Sequence, residues 1–464
     1  MSQYRPLSAV VLAAGEGTRM RSGTPKVLHS LCGRPMVLHV VDALGELPLE
    51  RIIIVVGHGA ERVTKTLQEQ LVTEVDVEFV EQHVQQGTGD AMAVALSAFE
   101  DLDAEDDILV LPADTPLLRA ETMARLATEH RLQDAAATVL TARLADSTGY
   151  GRIVRGKNDW IAKVVEHADA TPDERDIDEV NTSIYCFRRN LLAPALRRLS
   201  PENAQGEYYL TDALEVLSSA GHKVVAVAAA DAVEAVGVND RVQLAAAEAE
   251  LRLRINQRWM REGVTMVDPS RTYIDATVEL DPDVRLLPGV ILEGRTSIGT
   301  GSVIGPDCHL SDTVVGERVV VRLAVAREAE IGDDCEIGPF AYIRPGTRLG
   351  AGVKIGTYVE VKNSEIGAGS KIPHLSYVGD TDVGVNANLG AGTITANYDG
   401  REKHRTTIGD GVHTGVHTSL VAPVEVGDGS ETGAGSVVTR DVPPGQLVKG
   451  SPARVARPVR EDEE

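Results

Sequence analysis

The stretch that decides the fold of the first half of the chain is Leu12-Ala13-Ala14-Gly15-Glu16-Gly17-Thr18-Arg19-Met20, followed by Pro25-Lys26. The residues before and into it, Leu7 to Ala14, form an apolar, partly β-branched run that is typical of a buried parallel strand. The residues that follow, Val27 to Leu44, predict a helix. The sequence therefore predicts a strand, a glycine-rich turn and a helix in succession.

The turn has the residues that an anion-binding loop requires. Gly15 and Gly17 carry no side chain that would keep a phosphate from the backbone N–H groups, and Arg19 and Lys26 add positive charge. The spacing is not that of the phosphate loop GxxxxGK[ST], because Lys26 lies too far out, and a dinucleotide fingerprint would need a third glycine. A plain strand-turn-helix corner is the alternative, but it leaves Thr18, Arg19 and Lys26 unexplained.

The pattern LxxGxGTRMxxxxPK over residues 12–26 resembles the signature of sugar-1-phosphate nucleotidylyltransferases. This family joins a nucleoside triphosphate to a sugar phosphate and releases pyrophosphate. The signature specifies neither the sugar nor the base. The resemblance implies catalytic roles for Arg19 and Lys26, and nucleotide contacts for Leu12, Ala13, Ala14, Gly15 and Lys26.

The composition of the whole chain excludes several classes of protein. The 46 Lys and Arg residues face 69 Asp and Glu residues, and the resulting formal charge of -23 argues against nucleic acid or an anionic membrane surface as a partner. Four scattered cysteines without a CxxC pair indicate neither a disulfide framework nor a zinc site. No apolar run is long enough to span a membrane. A cytoplasmic protein is expected.

The chain is too long for one ordinary core, and its composition shifts at mid-length. We expect a nucleotidylyltransferase domain at 1–231, a connecting helix at 232–263, a second domain at 264–454 and an acidic tail at 455–464. In the first domain, β-branched runs alternate with helix-like segments, which predicts a Rossmann-like α/β domain with a mostly parallel sheet and its ligands beyond the strands' carboxyl ends. These runs are Ile52–Val56, Val75–Val80, Ile108–Leu111, Ala136–Leu140 and Val224–Val227.

A second glycine-containing segment follows the run that ends at Val80. The resemblance implies that Gln82, Gly87 and Thr88 contact the base, and an amide can pair bidentately with a uracil edge through one donor and one acceptor. The alternative is a GTG turn that only begins a helix.

A carboxylate, Asp114, follows the run that ends at Leu111. The resemblance, together with the preference of Mg²⁺ for oxygen ligands and substrate phosphates, implies that Asp114 and Asn239 hold Mg²⁺. A helix-capping aspartate is the alternative. The chain departs from the family here, because Pro112 and Ala113 stand where the family commonly has a glycine before the aspartate.

Three further segments resemble the sugar site of the family. The resemblance implies that Gly151, Glu166 and Asn181 contact the sugar hydroxyls and amide. The segment Asn203 to Asp212 is similar to one of the uridylyltransferase branch. Residues 241–262 lack Gly and Pro and predict one long helix, which Gly263 ends.

The second half of the chain contains a six-residue repeat. This period is the hexapeptide signature of a parallel β-helix, in which each repeat contributes one inward aliphatic side chain and one turn. Such domains resemble one another in being left-handed and usually trimeric, and many are acyltransferases. The repeated pairs are Ile298-Gly299, Ile304-Gly305, Ile331-Gly332, Ile337-Gly338, Leu349-Gly350, Ile355-Gly356, Ile366-Gly367, Val378-Gly379, Val383-Gly384, Leu389-Gly390, Ile408-Gly409 and Val426-Gly427.

Charged and polar residues interrupt this repeat, and with them both halves resemble one family of two-domain enzymes of bacterial cell-wall precursor synthesis. The resemblance implies that His374 is the general base of acetyl transfer, because an imidazole titrates near neutrality. It also implies that Arg344 and Lys362 hold the sugar phosphate, with Tyr377 and Asn388 completing the substrate site. The implied acetyl-CoA contacts are Ala391, Asn397, Tyr398, Val416 and Ala434.

The expected function is therefore acetyl transfer from acetyl-CoA to glucosamine-1-phosphate, followed by uridylyl transfer from UTP to N-acetylglucosamine-1-phosphate, in a Mg²⁺-dependent homotrimer. One alternative is a nucleotidylyltransferase of another sugar or base whose β-helix only assembles the trimer. Another is a non-catalytic scaffold of the same fold.

Overall fold

The computed structural model describes residues 5–101, 104–144 and 146–458. The chain divides into two compact units, Met1–Leu251 and Arg252–Glu464, and their boundary falls inside the helix Arg241–Arg261. None of the helices in the described residues combines the length and apolarity needed to cross a membrane. The acidic residues Glu461 to Glu464 lie outside the described residues.

The first unit alternates strands and helices. Its strands are β1 (Leu7–Ala13), β2 (Ser30–Leu31), β3 (Arg34–Pro35), β4 (Arg51–Val56), β5 (Asp76–Glu81), β6 (Asp107–Pro112), β7 (Ala137–Arg143), β8 (Arg152–Arg155), β9 (Ile161–Val165), β10 (Glu179–Arg188) and β11 (Val224–Ala228). Its helices are α1 (Met36–Gly45), α2 (Ala60–Gln70), α3 (Thr88–Leu96), α4 (Ala120–Leu132), α5 (Pro172–Arg175), α6 (Arg189–Leu196) and α7 (Asp212–Ser219). The next helix, α8 (Arg241–Arg261), contains the boundary between the units.

The main sheet has the order β11-β7-β10-β6-β1-β4-β5. Neighbouring strands are parallel except at β10, which runs antiparallel to both β6 and β7. The hairpin of β8 and β9 extends from β10. This arrangement is the mostly parallel α/β sheet that the alternation of strands and helices predicts.

Both faces of the sheet are covered, because successive residues of a strand point to opposite sides. On one side, Ala9 and Val11 of β1 belong to a core that includes side chains of α1, α2 and α4. On the other side, Val10 belongs to a core that includes side chains of α3, α6 and α7. The loops at the carboxyl ends of the strands are left to carry polar groups.

The helix predicted over Val27 to Leu44 is wrong in its first part. Only α1, from Met36, is α-helical, and it is preceded by a 3-10 turn at Lys26–Leu28 and the short hairpin of β2 and β3. Cys32 and Gly33 form the hairpin turn with φ angles of 43° and 78°, and such positive values end a helix. The apolar pattern is present, but the turn residues override it.

The helix predicted at 241–262 is confirmed as α8. It begins after Asp240, whose Oδ1 accepts hydrogen bonds from the N–H groups of Val242 at 2.9 Å and Gln243 at 2.8 Å. This carboxylate caps the helix and also suits its dipole. Gly263, with a φ of 100°, follows its end.

The second unit is a parallel β-helix with three faces, and each coil visits the faces in turn. Val314 pairs with Glu330, Val303 with Val320 and Arg285 with Val303, so most coils take 16 to 18 residues. The inward aliphatic residues of the repeat are buried, as predicted; for example, Ile304 and Leu389 have no exposed surface. This is the hexapeptide-repeat fold that the period predicts.

Its strands fall on three faces. The first face holds Thr265–Met266, Arg285–Leu286, Val303–Ile304, Val320–Val321, Glu336–Ile337, Lys354–Thr357, Lys371–His374, Asn388–Leu389, His413–Thr414, Glu431–Thr432, Gln446–Gly450 and Ala453–Pro458. The second face holds Thr272–Ile274, Val290–Glu293, His309–Ser311, Val325–Arg327, Tyr342–Ile343, Glu360–Lys362, Tyr377–Gly379, Ile394–Ala396, Ser419–Val421 and Val437–Val438. The third face holds Glu279–Leu280, Ser297–Ile298, Val314–Val315, Ala329–Ile331, Thr347–Leu349, Glu365–Ile366, Thr381–Val383, Thr406–Ile408 and Val424–Val426.

The β-structure continues past residue 454, where the sequence places the start of the tail. Ala453–Pro458 runs antiparallel to Gln446–Gly450, and their backbone pairing holds residues 455–458 in the sheet.

Candidate active sites

The loop after β1 is tightly folded against Lys26. Gly17 has a φ of 67°, and a Cβ atom added to it would lie 2.5 Å from the Cβ of Lys26. A side chain at this position would therefore be strained and would also collide with Lys26. The glycine brings the loop backbone and the Lys26 ammonium to the same end of the sheet.

Lys26 lies at the centre of a polar cluster in the first unit. Its ammonium contacts Oδ2 of Asp114 and lies 2.8 Å from Oδ1 of Asn239. Arg19 donates a second hydrogen bond of 2.8 Å to the same oxygen of Asn239. The structure thus brings together four predicted site residues from distant parts of the chain.

Backbone pairing positions the carboxylate of this cluster. The N–H of Ala113, directly after β6, donates to the carbonyl of Leu12 at 3.0 Å, and the N–H of Val238 donates to the carbonyl of Asp114 at 2.8 Å. A Cβ at Gly237 would lie 3.3 Å from Oδ1 of Asp114, which is closer than most Cβ contacts. Asp114 is thus held between β1 and the segment before α8.

The oxygen atoms of Asp114 and Asn239 are suited to a divalent cation. Both atoms converge on one positive charge, the Lys26 ammonium. Mg²⁺ typically takes one or two protein ligands and completes its shell with water and phosphate oxygens. No group of three or more His, Cys, Asp or Glu side chains is arranged to hold a metal ion in the described ranges. An ion at Asp114 would therefore depend on oxygens of the substrate.

The turn before α3 is fixed by the segment that resembles the uridylyltransferase branch. The N–H of Gly89 donates to the carbonyl of Tyr208 at 2.7 Å, and the hydroxyl of Thr88 accepts from the N–H of Leu210 at 3.0 Å. A Cβ at Gly87 would lie 2.6 Å from the same Tyr208 carbonyl. Gln82, only 3% exposed, also donates to the carbonyl of Gly87 at 3.2 Å.

The three predicted sugar-site residues lie side by side. The N–H of Asn181 donates to the carbonyl of Gly151 at 2.8 Å. A Cβ at Gly151 would lie 3.4 Å from Oε2 of Glu166 and 3.5 Å from the Cβ of Asn181. The side-chain amide of Asn181 is occupied by the hydroxyl of Tyr185 at 2.8 Å and the N–H of Ser183 at 3.1 Å.

Burial raises the pKa of Glu166. The hydrogen bond of 3.1 Å from the Thr211 hydroxyl favours the ionised form, but the nearby charges of Asp212 and Asp169 oppose it. Tyr150 also has a raised pKa, because it is partly buried and the negative charge of Asp114 lies nearby. The electrostatic influence of Asp114 therefore extends to the residues beside Gly151.

In the β-helix, a buried carboxylate organises the predicted phosphate-binding residues. Asp380 is 5% exposed, accepts a 2.6 Å hydrogen bond from Asn363 and another from Asn397, and lies 3.8 Å from the ammonium of Lys362. The amide of Asn397 lies 3.4 Å from the hydroxyl of Tyr377. Burial opposes ionisation of Asp380, but these hydrogen bonds and the nearby lysine charges outweigh it and lower its pKa.

A cleft of about 660 Å³ opens beside this carboxylate. Lys362 and Lys403 both line this cleft, and the neighbouring Lys362 lowers the pKa of Lys403. Two neighbouring ammonium groups repel each other unless an anion lies between them, so the cleft suits a phosphate. The cleft is lined by Pro345, Gly346, Lys362, Asn363, Asp380, Lys403, His404 and Arg405.

Arg344 directly follows the second-face strand Tyr342–Ile343, and its guanidinium forms a 2.6 Å hydrogen bond with Glu360. That partner raises the pKa of the arginine.

His374 ends a strand of the first face, and its side chain is exposed. Its imidazole makes no hydrogen bond to any of the described residues, and its carbonyl accepts from the N–H of Gly392 at 3.1 Å. Ala391 is therefore in the coil that stacks on His374. Asn388 pairs in register with Lys371 on the same face.

Three of the predicted acetyl-CoA residues, Ala391, Val416 and Ala434, continue this stack as a column. The carbonyl of Ala391 accepts from the N–H of His417 at 2.7 Å, and the carbonyl of Val416 accepts from the N–H of Gly435 at 2.8 Å. Ala434 is adjacent to that last turn. Val416 is 47% exposed, so the column presents an apolar side chain to solvent.

Asn397 is placed in the polar cluster of Asp380, at the start of a loop over residues 397–405. Its carbonyl accepts from the N–H of His404 at 2.8 Å. Tyr398, in the same loop, is 60% exposed and pairs with Lys403 through the backbone.

Both units contain a segment that matches a known protein family. Residues 9–215 match the MobA-like NTP transferase domain family, and residues 328–363 match the bacterial transferase hexapeptide (six repeats) family. Proteins named bifunctional protein GlmU from Streptomyces avermitilis, Brevibacillus brevis and Thermobifida fusca are 49%, 47% and 49% identical to this chain. The alignments cover 96%, 95% and 98% of this chain and 92%, 94% and 94% of these relatives.

The chain belongs to the GlmU family. Membership of the GlmU family confirms the predicted architecture, an α/β domain followed by a left-handed β-helix of hexapeptide repeats. It also confirms the prediction of a transferase enzyme with two activities, uridylyl transfer and acetyl transfer.

Two carboxylates of this GlmU family member were not predicted to have a role, although Asp90 lies close to Thr88 in the chain and Asp380 lies close to Tyr377. Asp90 accepts a hydrogen bond of 2.7 Å from the amide of Gln82. Asp380 is the centre of the cluster in the β-helix. A sequence signal for the second exists, because Asn363, Asp380 and Asn397 are spaced by 17 positions, the length of one coil.

Proposed function

We propose that the chain makes UDP-N-acetylglucosamine in two steps, each carried out by one of its two domains. The β-helix transfers the acetyl group of acetyl-CoA to the amine of glucosamine-1-phosphate. The α/β domain then transfers the uridylyl group of UTP to the phosphate of N-acetylglucosamine-1-phosphate and releases pyrophosphate.

In the first step, His374 accepts the proton that the sugar amine loses as it attacks the thioester. An exposed imidazole without a competing hydrogen bond is free to do this. Lys362, Arg344 and Lys403 bind the phosphate of the sugar, and the N–H of Ala391 stabilises the thioester oxygen as negative charge develops there. The column of Ala391, Val416 and Ala434 provides the surface for acetyl-CoA, and Asn388, Tyr377, Asn397 and Tyr398 complete the site.

In the second step, the sugar phosphate attacks the α-phosphorus of UTP and needs no general base, because it is already an anion. Arg19 and Lys26 bind the triphosphate and stabilise the charge on the departing pyrophosphate. Mg²⁺, when held by Asp114 and Asn239, would neutralise part of the phosphate charge. The uracil contacts Gln82, Gly87 and Thr88, and the sugar contacts Gly151, Glu166 and Asn181.

The observation that carries this proposal is the convergence of Asp114 and Asn239 on the ammonium of Lys26, at the carboxyl ends of β1 and β6. The oxygens and the cations of a nucleotidyl-transfer site are thereby in one place. The same proposal includes a cytoplasmic homotrimer, which hexapeptide-repeat domains usually form.

The experiment is a stepwise assay of the purified full-length chain. Free thiol released from acetyl-CoA is measured with and without glucosamine-1-phosphate, and pyrophosphate is then measured after UTP and Mg²⁺ are added. We expect thiol release that depends on the sugar amine, followed by pyrophosphate. Pyrophosphate from N-acetylglucosamine-1-phosphate without any thiol release would instead leave the β-helix as a scaffold.

A further inference from the structure

The amide of Gln82 is held in one orientation by its neighbours. Nε2 donates to Oδ2 of Asp90 at 2.7 Å and to the carbonyl of Gly87 at 3.2 Å. A carboxylate and a carbonyl accept hydrogen bonds and donate none, so the atom that faces them is the nitrogen. The chemistry of Asp90 thus excludes the flipped amide.

This orientation leaves one free group on a side chain that is otherwise buried. Gln82 is 3% exposed, and both of its amide hydrogens are directed at Asp90 and Gly87. Oε1 makes no hydrogen bond to any described residue. It is also not fully buried, so it reaches solvent. The atom that Gln82 presents to the site is therefore an acceptor. The bidentate pairing expected from the sequence is not available in this arrangement, because Asp90 and Gly87 engage both amide hydrogens.

We propose that Asp90 is a positioning residue for base selectivity, because it fixes Gln82 so that Oε1 accepts the N3–H group of uracil. This inference rests on the proposed function, which places the base at Gln82. Uracil has a donor at N3, whereas cytosine has an acceptor there. With the amide held by Asp90, N3 of cytosine would face Oε1 of Gln82, and both atoms are acceptors. An enzyme site discriminates strongly against a ligand that leaves a buried polar group unpaired.

A helix-stabilising role for Asp90 makes a different prediction. Asp90 lies in the first turn of α3, where a negative charge suits the helix dipole. Loss of that stabilisation would reduce the amount of folded protein and affect all nucleotides equally. Loss of orientation would change the preference between UTP and CTP, because an asparagine at this position can donate to Oε1 and allow the amide to flip.

The test compares full-length Asp90→Asn with Glu81→Gln as a matched control. Glu81 is the exposed neighbour of Gln82, so its substitution makes the same chemical change without touching the amide. The readouts are kcat/KM for UTP and CTP from pyrophosphate release, and the Kd of each nucleotide from calorimetry. We expect the UTP/CTP ratio to fall about tenfold or more in Asp90→Asn, which corresponds to one hydrogen bond, and to stay unchanged in Glu81→Gln.

An unchanged UTP/CTP ratio in Asp90→Asn, in turnover and in binding, would overturn the proposal. Should that variant not fold, the unmodified enzyme tests it with N3-methyl-UTP, which lacks the donor and should bind at least about tenfold more weakly than UTP. Equal binding of the two would overturn it as well. A failure of the proposed function is distinguishable, because it would appear as no pyrophosphate from UTP in the unmodified enzyme.

Discussion

The ammonium of Lys26 lies 2.8 Å from Oδ1 of Asn239, although the two residues are 213 positions apart in the chain. The parallel sheet causes this meeting, because the loops after β1 and β6 and the segment before α8 all reach the same edge. The site therefore depends on the exact position of small residues around Asp114.

Replacing Gly237 by alanine should impair uridylyl transfer selectively. The added Cβ would lie 3.3 Å from Oδ1 of Asp114, so the carboxylate would have to shift. We expect pyrophosphate release to fall about ten- to a hundredfold, as expected for a small misplacement of a catalytic group, with acetyl transfer unchanged. Gly23→Ala is the control, since nothing lies within 4 Å of its added Cβ. Equal losses in both variants would contradict the role of Asp114.

His374→Ala should abolish most acetyl transfer while leaving uridylyl transfer intact. A general base typically contributes about a hundredfold or more to the rate. Thiol release from acetyl-CoA and pyrophosphate release are measured on the same preparation. His413→Ala, on the first face one coil beyond Asn388, is the matched control. A loss of both activities in His374→Ala would argue for a structural role.

Glu166→Gln should weaken binding of the sugar substrate and remove one pH dependence of uridylyl transfer. The raised pKa of Glu166 means that its carboxylate becomes protonated earlier on acidification than an ordinary glutamate. If ionised Glu166 accepts a hydrogen bond from a sugar hydroxyl, kcat/KM of the unmodified enzyme falls as the pH is lowered toward the pKa of Glu166. In Glu166→Gln we expect a KM about tenfold higher and no such acid limb. A retained acid limb would assign it to another group, and Glu202→Gln serves as the control.

The first unit should lose stability on acidification through His130. This residue is fully buried, which lowers its pKa, although Asp107 opposes the effect; Arg5 and Arg188 lower the pKa further. The folded state thus keeps His130 neutral below its usual pKa, whereas the unfolded chain takes up a proton. The free energy of unfolding should fall by up to about 1.4 kcal/mol per pH unit as the pH drops below about 6.5.

Calorimetric unfolding between about pH 7.5 and about pH 5 checks this expectation, because this range brackets the ordinary histidine pKa of about 6.5. His130→Gln should show a shallower pH slope than the unmodified chain. Some slope should remain, because burial also lowers the pKa of His39. His58→Gln is the exposed control. An unchanged slope in His130→Gln would contradict the assignment.

Much of the fold could be predicted because its signals are local. The hexapeptide pairs identify the inward aliphatic side chains directly, and the β-branched runs identify the strands of the sheet. The segment from Val27 to Leu44 could not be predicted correctly, since its apolar pattern is helical but Cys32 and Gly33 adopt positive φ angles. That conformation depends on the hairpin formed by β2 and β3.

The clustering of candidate-site residues was predictable where they belong to a motif, as with Lys26 and Asp114. Candidate-site residues were harder to predict where their place depends on contacts between separate segments. Asp380 meets Asn363 and Asn397 only because one coil takes 17 residues here, and Asp90 meets Gln82 only through the turn before α3. Such carboxylates resemble ordinary surface residues until the coils or loops are stacked.

The coil length also determines where the chain can accept inserted residues. Glu365 pairs with Asp382 after 17 positions, but Thr381 pairs with Thr406 after 25, and the surplus residues leave and return at one corner as the loop 397–405. An insertion within a strand would turn inward aliphatic side chains outward, whereas an insertion at this corner leaves every later pair in place. The loop beside Asp380 can therefore lengthen, and accept grafted segments, without disturbing the stacked core, provided that Asn397 and Lys403 keep their places beside the carboxylate.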